Sequence, residues 1–156
     1  MRVGAKLALA AAMLALSASA FAAKKVDLDY HVRFLPQSDQ AEVRLTLADG
    51  AALRSLDFDL GSTGDYRDFK ADGQWQAAPA GAGGQRGVWR PASGKASLSY
   101  RVRLNHSIKK GSYDSRSTAN WALLRGETLV PPAHLDQQDG IELVARLDFD
   151  LGSTGD

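Results

Sequence analysis

From Val26 onward the chain alternates between apolar and polar positions. Val26, Leu28, Tyr30, Val32 and Phe34 are apolar, and Asp27, Asp29, His31 and Arg33 stand between them. A period of two sends successive side chains to opposite faces of a pleat, so the pattern predicts a strand with one buried and one solvated face. Val43, Leu45 and Leu47 repeat it, as do Leu56, Phe58 and Leu60, then Leu98, Tyr100, Val102 and Leu104, and finally Leu143, Ala145, Leu147, Phe149 and Leu151. No sustained 3.6-residue pattern competes with these runs after residue 22. The prediction is an all-β chain folded as an antiparallel β-sandwich.

Turn chemistry punctuates the runs. Asp49-Gly50 and Asp72-Gly73 lie between them and predict hairpin turns with positive φ. Pro36, Pro79, Pro91, Pro131 and Pro132 all fall between or at the ends of runs, where a missing N–H costs no ladder bond. Trp75 and Trp89 sit beside turns and read as edge packing. Two stretches break the rhythm. Ala77–Gly87 reads as a Gly/Ala/Pro linker-like loop. His106–His134 reads as a long irregular segment, the kind that in a compact domain carries function or is disordered. It holds Tyr113, Arg116, Trp121 and Arg125, aromatics beside arginines, and these four are the candidate binding residues.

The first 22 residues stand apart. Arg2 and Lys6 precede an apolar run from Leu7 to Leu16 and a small-residue stretch with A-x-A-like sites ending at Ala20 and at Ala22. This is the layout of a cleavable signal peptide, with cleavage after either alanine, and the apolar run is short for a membrane span. The expected organisation is a signal peptide over 1–22 and one β-sandwich domain over 23–156, periplasmic or secreted, with no stable membrane insertion.

Composition changes the picture in two ways. The 156 residues include 19 basic and 18 acidic ones and no cysteine. Losing Arg2 and Lys6 with the signal leaves 17 basic residues against the same 18 acidic ones, a balance that argues against nucleic-acid partners. An exported domain without cysteine has no disulfides and depends on core burial.

Ten residues occur twice: LDFDLGSTGD fills both 56–65 and 147–156. An isolated identical block with no wider period reads either as a truncation or joining artefact or as a second strand-and-turn unit. Asp57 and Asp59, like Asp148 and Asp150, share a strand face; they read as a solvated face before they read as paired carboxylates or metal ligands. The spacing of Asp57, Asp59, Asp65 and Asp68 mimics a Ca²⁺ loop but puts Ser62 where that loop needs glycine. The same stretch resembles the first phosphate loop of actin-like ATPases and sugar kinases, without the rest of that fold.

Catalytic signatures are missing. His31, His106 and His134 form no H-E-x-x-H or paired-histidine motif, and no G-x-S-x-G elbow occurs. Ser107-Ile108-Lys109-Lys110 matches S-x-x-K without companion motifs. Neither a metal nor another cofactor is expected, and no catalytic residue is assigned.

Tyr30-His31-Val32-Arg33-Phe34, the strand Glu42–Leu47, Tyr100-Arg101-Val102-Arg103-Leu104 before a long loop, Trp121–Glu127 closing in Pro131-Pro132, and Ile141–Leu147 follow one another in an order with a precedent. It resembles the N-terminal β-rich domain of peptidase family M61, the glycyl-aminopeptidase-like zinc peptidases. The resemblance spans most of Lys24–Leu147. It implies a non-catalytic accessory domain that shapes a substrate cleft or docks to a peptidase domain, since the family's zinc site lies in a following helical domain absent from this chain. The loop after Leu104 lacks the family's acidic-Ser-Val-Arg type segment. The alternative expectation is a free-standing periplasmic glycan- or peptide-binding module that uses the 106–134 loop.

Overall fold

The computed structural model describes residues 22–35, 37–109, 112–118 and 120–150, with side chains described throughout except at 107–109 and 112–114. The expected signal peptide, up to residue 21, and the tail of the second decapeptide, 151–156, lie outside the described residues. Among the described residues, no helix is long and apolar enough to cross a membrane.

The chain is all-β, with two main sheets packed face to face. One holds β1 (Lys24–Leu35), β2 (Gln40–Leu47), β4 (Tyr66–Ala71), β7 (Ala96–Arg103) and β12 (Ile141–Asp150), in the order β12-β1-β2-β7-β4. The other holds β3 (Leu53–Gly61), β5 (Gly73–Pro79), β6 (Gln85–Pro91) and β11 (Ala133–Gln137), in the order β11-β3-β6-β5. A smaller sheet, β10-β9-β8, comes from β8 (His106–Lys109), β9 (Ser112–Ser117) and β10 (Ala122–Leu123), and one helical turn, α1 (Gly126–Leu129), follows it.

The runs of β1, β2, β3 and β7 place their apolar sets in or against the core, whereas Ala145, Leu147 and Phe149 of the β12 run stay exposed. Val26, Leu28 and Val32 of β1, Val43, Leu45 and Leu47 of β2, and Leu98, Tyr100 and Val102 of β7 meet Leu56, Phe58 and Leu60 of β3 and Trp89 of β6. Each fully buried Leu or Phe contributes about 1.5–3 kcal/mol relative to exposure. The ladders among the described residues are antiparallel except one. β12 runs parallel to β1, from Lys24↔Ile141 to Arg33↔Asp150, because the chain leaves β11 in one sheet, crosses at Gln138–Gly140 and enters the other along β1.

Several local expectations are corrected. Asp49-Gly50 makes no hairpin: the Asp49 carboxylate accepts a hydrogen bond from Ala51 N (3.2 Å) and caps a 3₁₀ turn, Gly50–Ala52, that carries the chain from one sheet to the other. Asp72-Gly73 does bend with positive φ (97° at Gly73), but it too joins strands of different sheets. There the Asp72 carbonyl accepts from the Trp89 indole N–H (2.9 Å), while its carboxylate takes the Ser97 N–H and hydroxyl. Trp89 is therefore at the centre of the core, fully buried, and is not an edge residue. Ala77–Gly87 is no loop either. It is the tip of the β5–β6 hairpin, paired through Ala77↔Gly87, Ala78↔Arg86 and Pro79↔Gln85 around Gly81–Gly83. Backbone ladders need no apolar alternation, which is why the composition concealed it.

β4 escapes the period-two rule through a bulge. Asp68 adopts φ 58° and the pairing with β7 shifts between Arg67 and Lys70. Tyr66 and Phe69, three residues apart, thereby reach the same ring: Tyr66 meets Tyr100 edge-on at 5.9 Å and Phe69 meets it at 5.3 Å. Phe69 stacks in turn on Trp75 at 4.2 Å, and the Trp75 ring fills the space that a Cβ on Gly87 would need. Gly87→Val should expel Trp75 from that stack. The expected cost is about 1–3 kcal/mol in urea unfolding, with a tryptophan emission shift in the folded state; unchanged stability would contradict the packing.

Candidate functional site

The sandwich is open at one end. There Phe34 of β1 and Leu147 and Phe149 of β12 face the segment that joins β9 to α1. Between them lies an apolar groove of about 570 Å³, walled by Phe34, Leu147 and Phe149 on one side and Trp121, Leu124 and Leu129 on the other. Phe34 and Phe149 stack at 6.3 Å with their planes 15° apart. Trp121 is 51% exposed, and Leu147 and Phe149 are 47% exposed each, a concentration of uncovered apolar surface. Ser117, Thr118, Asn120 and Arg125 add polar groups to its lining.

The far wall is built from polar pins. Thr118 and Trp121 close a tight turn: Thr118 N–H donates to the Trp121 carbonyl (2.8 Å), and Thr118 Oγ1 accepts from Trp121 N–H (3.2 Å). The turn presents the indole outward. α1 is a single turn, so its last carbonyls lack partners within the helix. Two core tyrosines supply them: the Tyr66 hydroxyl donates to the Glu127 carbonyl (2.9 Å) and the Tyr100 hydroxyl to the Leu129 carbonyl (2.7 Å). Buried Ser115 and Thr128 share a hydroxyl hydrogen bond of 2.7 Å, and Asn105 accepts from Ser117 N–H at 2.6 Å.

A second polar cluster anchors the strands beneath. Asp65, 3% exposed, accepts from Arg103 Nε (2.8 Å) and from the Thr63 hydroxyl, and lies 3.4 Å from His106 Nε2. Nearby Asp39 keeps one carboxylate oxygen buried without a hydrogen-bond partner. Burial pushes its pKa up, against the opposing pull of Arg103, the Asn105 backbone and His106.

The candidate residues come together in part. Trp121 and Arg125 line the groove, and the Arg116 guanidinium stands over the Trp121 ring at 5.7 Å, within cation–π range. Arg125 also pairs with Glu127 at 3.5 Å. Tyr113 is in β9, with its side chain outside the described residues. The segment around them is not the loop expected between His106 and His134, since it folds into β8–β10, α1 and the start of β11. These strands are short and their pairings shift register, so no alternation marks them.

Phe34, Leu147 and Phe149 were legible only as inward positions of strands. Nothing in the pattern shows that they line a groove or that Leu147 and Phe149 stay half exposed. The paired aspartates are accounted for separately: Asp57 forms a two-pronged pair with Arg86 (3.0 and 2.6 Å), and Asp59 accepts from Gly61 N–H (3.0 Å). His31 is solvent-exposed as expected and meets Asp148 at 3.2 Å. Among the described residues no group of three or more metal-ligating side chains converges. No protein-family model matches the chain, and no curated protein matches it significantly.

The tyrosines make the far wall sensitive to alkali. Burial raises Tyr30 and Tyr66 to about 12, the latter helped by the charges of Asp65, Glu127 and Asp59, and pushes Tyr100 well above its ordinary value. Their folded pKa values lie above the unfolded value of 10, so the folded state holds more protons. Stability is intact well below pH 10 and falls as the pH rises from 10 towards 12, most through buried Tyr100 and less through the part-exposed Tyr66, whose charge solvent screens. Urea unfolding across that range should show the fall. Tyr100→Phe should cost about 1–3 kcal/mol at neutral pH by orphaning the Leu129 carbonyl, and should make the alkaline fall shallower.

Proposed function

We propose that this chain is a non-catalytic accessory β-sandwich domain that docks an apolar polypeptide surface along the groove of Phe34, Trp121, Leu129, Leu147 and Phe149. The observation that carries the reading is the half-exposure of Trp121, Leu147 and Phe149 around one groove, held on a wall that hydrogen bonds have already ordered. Docking to such a wall loses little conformational entropy. The role agrees with the resemblance to the front domain of M61 peptidases, and in that setting the partner is a peptidase domain in the periplasm or outside the cell. In this reading Asp65 and Asp57, each held by an arginine, serve as structural anchors.

A second reading rests on Arg116 over Trp121 and the hydroxyl and amide groups beside them: a small peptide or glycan held on the indole. Tryptophan fluorescence separates the two, because Trp121 is exposed while Trp89 is buried and Trp75 half-buried. Titration with a blocked Leu/Phe-rich hexapeptide should give a saturable shift. Trp121→Ala should abolish it, and Phe149→Asp should weaken it about tenfold or more. A response to N-acetylglucosamine oligomers instead would favour the glycan reading. Silence toward both probes would remove both readings.

A further inference from the structure

β12 is the outermost strand of its sheet, and among the described residues no strand pairs with its outer edge. Its only edge protection is the charge of Glu142, Arg146, Asp148 and Asp150. It is ten residues long, has no proline, and keeps unbroken register with β1 from Ile141 to Asp150. Such an edge offers its free N–H and C=O groups to another strand.

We propose that the occupant is a second copy of this chain, pairing β12 against β12 in antiparallel fashion about a two-fold axis through Leu147 and normal to the sheet. An axis in that direction keeps both cores on one side and sets residues of like parity opposite each other. This restricts the registers. Centring on Arg146 would set arginine against arginine, and centring on Ala145 would set Glu142 against Asp148 twice. Three registers place Arg146 opposite a carboxylate: one centred on Val144, facing Glu142, one centred on Leu147, facing Asp148, and one centred on Asp148, facing Asp150, which sets Asp148 against Asp148 at the axis. Of the two without a like-charge pair at the axis, only the one centred on Leu147 also places Phe149 opposite an apolar residue, Ala145, while Leu147 meets Leu147 of the second copy. Large against small at one pair and like against like at the axis is a packable arrangement.

The charges extend across the junction. Within one chain Arg146 already meets Asp27 at 3.1 Å, and Asp148 meets His31 at 3.2 Å. Arg146 and Asp148 remain largely exposed, so each can take a further partner. In the dimer the row reads Asp27, Arg146, then Asp148 and His31 of the second copy, and the same row returns in the other direction. The two apolar grooves come to lie on the same side of one continuous sheet, with Leu147 and Phe149 of both copies between them.

Sedimentation equilibrium of the purified chain should show a reversible dimer. Arg146→Asp and Asp148→Arg should each raise its dissociation constant about tenfold or more, and the double variant should restore it. The natural chain has no cysteine, so single cysteines report the register cleanly. Leu147→Cys should form a disulfide-linked dimer on mild oxidation, and Val144→Cys should not. A monomer at 100 μM protein, a dimer indifferent to both charge reversals, a double variant that fails to re-associate, or cross-linking through Val144→Cys in place of Leu147→Cys would each overturn the proposal.

Discussion

The hydroxyl of Tyr100 is where core and groove meet. Its ring lies between Phe58, Tyr66 and Phe69 inside the sandwich, and its oxygen reaches the Leu129 carbonyl at the end of α1. A four-residue helical turn has almost no stability of its own. Its position is therefore dictated from below, by Tyr100 and Tyr66 through its carbonyls and by Ser115 through Thr128. Whatever binds the groove meets a wall whose geometry is set by the packing of two sheets.

That wall matters because the two sheets are unequal. Five strands on one side face four on the other, and on the edge strand β12 Leu147 and Phe149 stay half exposed. A sandwich with both layers matched would bury Leu147 and Phe149 as it buries Leu56 and Phe58. Here the mismatch converts core-type residues into a surface, without any change in the local pattern that produced the strand.

Much of this architecture is visible in the residues. Period-two alternation located β1, β2, β3, β7 and β12 and identified their inward sets. It could not locate β4, where the bulge at Asp68 lets Tyr66 and Phe69 share a face at a spacing of three. Nor could it place β5 and β6 as one hairpin, because glycine and alanine satisfy a ladder without leaving a hydrophobic signature. Asp49-Gly50 has the composition of a hairpin turn, yet capping and a sheet-to-sheet crossing decide its conformation. Of the binding candidates, Trp121, Arg116 and Arg125 gather at one place because the Thr118–Trp121 turn and the β9–β10 pairing bring them there. The opposing wall joins Phe34 to Leu147 and Phe149, more than a hundred residues later in the chain, a juxtaposition that the parallel β1–β12 ladder creates.

The duplicated decapeptide adds an unusual internal control. Leu-Asp-Phe-Asp at 56–59 is central, between β6 and β11, with Leu56 and Phe58 sealed from water; the same four residues at 147–150 lie on a margin, half open. Within each copy, residues whose immediate neighbours also match share the same intrinsic amide chemistry. Any disparity between them in solvent-exchange lifetime reports tertiary placement alone, free of the sequence corrections that such comparisons ordinarily require.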